Sequence, residues 1–167
     1  QLPGHTSVLD RGNTNTGQVV IDLRGGDDIT LRNLSITGGS YGVWADSGVD
    51  SDRVTLVSSQ VFGNLYHGVY VESNSNSENF TVTGGALHNN GYSGGYLRAG
   101  SGLIEGSDLY GNGQWGADVN GLAAGISTVV GNKVHDNASG GLLSGGSALL
   151  IGNEVYSHLG SNDTGIQ

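Results

Sequence analysis

The sequence predicts an all-β parallel solenoid, a β-helix of about six to seven coils of 22–26 residues each. Three observations carry this. Glycine recurs ahead of short apolar strands at positions 42, 68, 94, 116, 141 and 165, in steps of 26, 26, 22, 25 and 24. The ten-residue segments that end on the first five of these glycines stack as NLSITGGSYG, SQVFGNLYHG, GALHNNGYSG, SDLYGNGQWG and NKVHDNASGG. Three apolar columns run through the coils, and self-similarity at a fixed period of roughly 20–50 residues marks repeats that bury their core only by stacking.

Residues 1–18 read as a lead-in segment and residues 19–167 as the coils of one domain. The first apolar column is Ser35, Val61, Leu87, Leu109, Val134 and Val155. The second runs from Val19 through Val43, Val69, Gly95, Ala117, Leu142 and Ile166. The third is Ile29, Val54, Phe80, Leu103, Ile126 and Leu149. Glycines between them are expected at corners that need positive φ. Asn64, Asn90, Asn112 and Asn137 fall in one column and predict an asparagine ladder at a corner. His135 and Asp136 look like a catalytic pair in isolation. In the repeat, His135 shares a column with Ile36, Phe62, His88, Tyr110 and Tyr156, and Asp136 aligns with Thr37, Gly63, Asn89 and Gly111. The pair therefore reads as one rung of an outer side-chain stack.

Composition excludes several functions. Thirty-two glycines without a G-x-y period exclude collagen, and a single proline, Pro3, excludes a proline-rich linker. The net charge is −9 with only six Lys and Arg, so the clustered basic residues that nucleic acid demands are missing. An acidic polymer is repelled at long range unless the groove is locally basic or a cation bridges. No run of about 18 apolar residues could span a membrane. Cysteine is absent, so no disulfide contributes.

Side chains alternate faces along a strand. Counting from each glycine, the outward columns are Val20, Trp44, Tyr70, Tyr96, Asp118, Leu143 and then Asp22, Asp46, Glu72, Arg98, Asn120, Gly145. The residue before the glycine adds Tyr41, His67, Ser93 and Trp115. Aromatic rings beside carboxylates, an amide and a guanidinium suit an extended polysaccharide, with stacking on sugar rings and hydrogen bonds to hydroxyls. Trp44, Asp46, Tyr70, Glu72, Tyr96, Trp115, Asp118 and Asn120 are the candidate binding residues. The competing reading is an aromatic stack that only stabilises the coil. Asp22, Asp46 and Glu72, one coil apart, would raise one another's pKa and could hold a cation such as Ca2+. No calcium-loop signature occurs, so neither a metal site nor a cofactor is expected. P-loop, G-x-S-x-G, H-E-x-x-H and C-x-x-C motifs are absent as well.

The segments FTVTGGALHNNG (80–91), SDLYGNGQWGADVNG (107–121), GNKVHDNAS (131–139) and DTGIQ (163–167) resemble the pectin-lyase-like right-handed parallel β-helix superfamily. Within it they are most similar to the catalytic modules of mannuronan C5-epimerases, which act on alginate. The resemblance implies a right-handed coil, an extracellular or cell-surface location in a bacterium, and a uronate-containing polysaccharide as partner. It also implies a Y-G-F-D-P-H-E catalytic motif. In YGVWADSG (41–48) Tyr41 and Gly42 match that motif, whereas Trp44, Ala45 and Asp46 stand where the family has Asp, Pro and His. The family's catalytic coil would precede residue 19.

Two functions follow as expectations. One is an epimerase or lyase module, with Tyr41 and His67 in proton transfer, Arg98 neutralising a carboxylate, and Asp46 or Glu72 as partners. The other is a non-catalytic β-helix, either a binding surface or a rigid spacer. Neither TGQVVIDL nor DTGIQ looks like a cap, so continuation in a longer chain or end-to-end stacking is expected.

Overall fold

The computed structural model describes residues 7–72, 77–98, 100–121, 125–160 and 164–167. All regular structure among them is β-strand, arranged as three parallel sheets of seven, seven and six strands. The first sheet holds Ser7–Asp10, Leu34–Thr37, Gln60–Phe62, Ala86–His88, Asp108–Tyr110, Lys133–His135 and Glu154–Tyr156. The second holds Ile21–Asp22, Val43–Ala45, Val69–Val71, Gly95–Leu97, Trp115–Val119, Gly140–Ser144 and Thr164–Ile166. The third holds Thr30–Arg32, Thr55–Val57, Phe80–Thr83, Gly102–Glu105, Ser127–Val130 and Ala148–Ile151. The chain visits the sheets in turn, and each strand pairs with the one a coil away. The expected parallel solenoid is the fold. Its first rung, Ser7–Asp10, lies within the lead-in segment and pairs with Leu34–Thr37.

The core is a single column of inward side chains, including Val43, Leu56, Val61, Val69, Phe80, Leu87, Leu97, Ile104, Leu109 and Leu142, each no more than 1% exposed. Large and small residues alternate around it. A Cβ on Gly95 would lie 3.1 Å from Ile104 Cδ1, and one on Gly102 would lie 3.3 Å from Leu97 Cδ1. Glycine stands at these two sites because Leu97 and Ile104 already fill the space.

The structure corrects the predicted columns at three places. Ile36, not Ser35, pairs with Val61, so Ile36 is core and Thr37 takes the outward position beside Phe62. The corner after Thr37 has five residues (38–42), whereas the one after Phe62 has six (63–68), and the register absorbs the difference. In the second sheet Ile21, not Val19, pairs with Val43, and Asp22, not Val20, pairs with Trp44. In the third sheet Leu103 and Leu149 sit in the outward column with Thr55, Thr81 and Thr128. Gly102 and Ser127 are buried in the inward column that Leu103 and Ile126 were expected to fill, and Ala148 takes the place given to Leu149.

The asparagine ladder is present. The amide Nδ2 donates from Asn64 to Asn90 Oδ1 at 3.0 Å, from Asn90 to Asn112 at 3.2 Å and from Asn112 to Asn137 at 2.9 Å. The Oδ1 of Asn90, Asn112 and Asn137 also accepts the backbone N–H of the asparagine one coil earlier. His158 ends the column by accepting the N–H of Asn137. A second ladder passes through Ser107, Asn132 and Asn153 at the opposite corner. It went unread because a serine, Ser107, stands in the column ahead of Asn132 and Asn153.

The strand-leading glycines have a different cause from the one expected. Positive φ occurs earlier in the corner, at Gly38, Gly63, Asn89, Gly111 and Asp136. Asp136 thus occupies a left-handed corner position that Asn and Asp tolerate better than most residues. The strand-leading column instead lacks room for a side chain. A Cβ on Gly116 would collide with Val134 Cγ1 and approach Gly141 O to 2.9 Å. Gly116→Ala is therefore expected to destabilise the fold by about 1–3 kcal/mol. Chemical denaturation checks this, and an unchanged midpoint would show that the corner yields.

Candidate functional site

Two aromatic arrays lie on the outside of the solenoid. The first sheet carries Phe62, His88, Tyr110, His135 and Tyr156 in one column, with centroids 4.7–5.2 Å apart and planes within 1–8°. Parallel pairing at about one coil spacing places each ring over the next. Their faces cover one another, so this is the stabilising stack expected of the column. His135 is held further by Asp136 at Nδ1 (2.7 Å) and Asp108 at Nε2 (3.0 Å).

The second array is less regular and contains the predicted site residues. Trp44, Tyr70, Tyr96 and Asp118 form one outward column on the second sheet, with Asp22 ahead and Leu143 behind. Backbone bonds in the corner align Tyr41, His67, Ser93 and Trp115, since Gly42 N–H donates to His67 O, Gly68 N–H to Ser93 O and Gly94 N–H to Trp115 O. The rings interlock: Tyr41 contacts Trp44 (5.3 Å), Tyr66 (5.2 Å) and Tyr70 (5.1 Å), and His67 contacts Tyr70 (5.2 Å), Tyr92 (5.4 Å) and Tyr96 (4.8 Å). Tyr66 and Tyr92, which sequence reading did not single out, belong to the same cluster. Both lie in the corner just before the strand-leading residues, at the positions given by the ten-residue alignment.

Tyr70 and Tyr96 stack at 4.9 Å and 15°, so their facing surfaces close to a ligand. What they present outward is ring edge and phenol hydroxyl. This refines the expectation of sugar stacking: the middle of the strip offers hydrogen bonds. Tyr70 donates its hydroxyl to Glu72. The Arg98 guanidinium lies 4.7 Å from the Tyr96 ring centroid and 3.6 Å from Asp118. The charges therefore do not form the expected acidic line. Asp22 leaves it for the aromatic column and pairs with Arg24 at 2.6 Å, while Arg98 turns to Asp118. Asp46, Glu72, Arg98 and Asn120 still succeed one another one coil apart, through backbone bonds linking Glu72 to Ala45, Arg98 to Val71 and Asn120 to Leu97.

Burial sets the proton chemistry. Burial raises the pKa values of Tyr41, Tyr70 and Tyr96, and at Tyr70 the bond to Glu72 adds to it. These groups are neutral phenols, donors rather than bases. Burial also raises Asp118, against the opposing pull of Arg98. His67 is 7% exposed, and its Nδ1 accepts the Ser93 N–H at 3.3 Å. Burial, helped by the charge of Arg98, pushes its pKa down to about 4. An unfolded histidine titrates near 6.5. As pH falls from about 6.5 to 4 the unfolded chain takes a proton that the folded chain refuses, so stability falls by up to about 3 kcal/mol across that window. Above about 6.5 this contribution to stability is constant. Acid titration of unfolding free energy checks it: His67→Gln should remove about one proton from the slope between pH 4 and 6.5, and an unchanged slope would contradict the assignment.

A cleft of about 650 Å³ opens at the Trp44 end of the strip, lined by Arg11, Gln18, Asp22, Arg24, Trp44 and Asp46 among others. Sequence reading missed it. The connection from Asp10 to Ile21 has ten residues, 11–20, against five or six at the two corners that follow, and this longer corner forms one wall.

The family model described as a right handed beta helix region matches residues 19–167. No curated protein and no solved structure matches the chain.

Proposed function

The chain belongs to the right-handed β-helix family, and from that premise we propose that the outer face of its second sheet binds an extended polysaccharide. The observation that carries the reading is the juxtaposition on one face of Trp44, Tyr70 and Tyr96 with Asp46, Glu72, Arg98, Asp118 and Asn120. The first sheet, by contrast, shows the plain stabilising stack. Phenol hydroxyls, carboxylates, an amide and a guanidinium together supply donors and acceptors for sugar hydroxyls. Trp115 continues the strip beside Gly140, where a Cβ would run into its indole. An extracellular or cell-surface setting fits such a ligand. No cofactor is invoked.

The finer form of this reading is a portion of a mannuronan C5-epimerase or polysaccharide lyase. Tyr41 and His67 would then exchange the C5 proton, and Arg98 would neutralise the uronate carboxylate. The segments similar to that family support it, as does the proximity of Arg98 to the rings. Weighing against it, a general base must reach its proton at hydrogen-bond distance. His67 is 7% exposed beneath Tyr70, Tyr92 and Tyr96. Binding without turnover is the form the geometry supports best.

Incubation with uronate polymers and with neutral polysaccharides separates these readings. We expect saturable binding with no unsaturated ends and no change in uronate ratio. Turnover abolished by Tyr41→Phe or by His67→Gln would establish the catalytic form. Binding to no polysaccharide would leave a rigid spacer.

A further inference from the structure

We propose that the cleft beside Trp44 is a charged subsite that takes one anionic sugar residue, its ring on Trp44 and its acidic group on Arg11. The proposal rests on the reading of the second sheet as a polysaccharide surface and extends it past the last aromatic rung.

Three observations place the subsite there. First, Trp44 is the end of the aromatic column. Tyr41 covers it on one side, but its partner in the next coil toward the N-terminus is Asp22, an aliphatic carboxylate, where Tyr96 has Tyr70. The indole therefore escapes the mutual covering that closes the Tyr70 and Tyr96 faces, and Trp is a strong stacking platform. Second, Arg11 stands apart from Arg24, the other arginine that lines the cleft. Among the described residues the arginine ion pairs involve Arg24, Arg53 and Arg98, and Arg11 donates instead to the neutral amide of Gln18. A guanidinium without a carboxylate is a bidentate receptor for carboxylate or sulfate. In a chain of net charge −9 it is also the local basic feature an acidic sugar needs in order to approach. Third, the ten-residue corner is well secured. Arg11 N–H donates to Thr37 O, Asn13 N–H to Gly38 O and Ser40 N–H to Gln18 O, and Thr16 Oγ1 meets Tyr66 OH at 3.1 Å. The wall that carries Arg11 is thus tied to the aromatic cluster it extends. Asp46 and the Arg24–Asp22 pair complete the lining and can receive or supply hydrogen bonds to ring hydroxyls.

Carboxylate and sulfate present the same oxyanion to Arg11, and the test keeps them apart. The whole chain is titrated calorimetrically with three hexasaccharides: an oligouronate, a sulfated neutral oligomer and the unmodified neutral oligomer. Arg11→Gln is expected to weaken binding of one or both acidic oligomers at least about tenfold, the size of one charge-assisted contact, and to leave the neutral oligomer within about twofold. The acidic oligomer that responds identifies the group Arg11 takes. Trp44→Ala is expected to weaken all oligomers that bind. Arg11 is exposed, so its replacement leaves the core untouched. Acidic-oligomer binding that survives Arg11→Gln but is lost on removal of Tyr70 and Tyr96 would overturn the subsite and keep the strip. Binding of none of the three by the native protein would overturn both.

Discussion

Asn112→Ala is expected to destabilise the protein by about 3–5 kcal/mol, because each buried polar group left without a partner costs about 1–3 kcal/mol. Asn112 is 1% exposed and sits in the middle of the ladder. Its Nδ2 donates to Leu87 O at 3.0 Å and to Asn137 Oδ1 at 2.9 Å, and its Oδ1 accepts from the backbone N–H and the side-chain amide of Asn90. Alanine removes all four bonds, leaves the buried Asn90 backbone N–H without its acceptor and takes one donor from the Leu87 carbonyl. At about 2–4 °C per kcal/mol for a chain of this size, the midpoint should fall by roughly 10 °C. Asn153→Ala, half-buried in the second ladder, should cost less. Equal effects of the two, or a loss below about 1 kcal/mol at Asn112, would mean that the ladder is decoration rather than structure.

Replacing Tyr70 and Tyr96 together by Ala should weaken polysaccharide binding by about 30-fold, taking each ring as worth roughly 1 kcal/mol. The two rings adjoin in the strip, and Tyr70 also holds Glu72 through its hydroxyl. A matched control lies on another face of the same solenoid. Phe62 and Tyr110 are rungs of the first-sheet stack at similar spacing, and their replacement by Ala should leave binding unchanged while costing comparable stability. Equal loss of binding in both pairs would show that the effect is one of folding, and would remove the second sheet's claim to be the binding face.

The columns with one repeated residue type were the most legible from sequence. Asn64, Asn90, Asn112 and Asn137 recur unchanged, because a side-chain amide carries a carbonyl acceptor and two N–H donors at once and so bonds to its neighbours on both sides of the stack. The Ser107–Asn132–Asn153 ladder was illegible because a hydroxyl replaces the amide in one coil. Register failed wherever corners change length. One residue fewer after Thr37 moved Ile36 into the core in place of Ser35. In the third sheet apolarity misled, since Gly102 and Ser127 go inside while Leu103 and Leu149 face outward. The aromatic strip was legible as a set of residues, because alternation along a strand fixes which face each one takes. Its chemistry was not. Only the packed structure shows that Tyr70 and Tyr96 close each other's faces, that Arg98 turns to Asp118, and that His67 is covered. The cleft beside Trp44 depends on the path of a ten-residue corner that interrupts the repeat, so no alignment of coils could reveal it.

The chain contains two tryptophans, Trp44 and Trp115, and both stand in the proposed binding strip. Intrinsic tryptophan emission therefore reports on that face alone, and titration of the native chain with extended polysaccharides, acidic and neutral, is the most direct test of the central claim. A saturable change in emission that the Tyr70→Ala, Tyr96→Ala double variant weakens is the predicted result. Emission unchanged by every polysaccharide up to about millimolar concentration, the range of the weakest specific contacts, would contradict it.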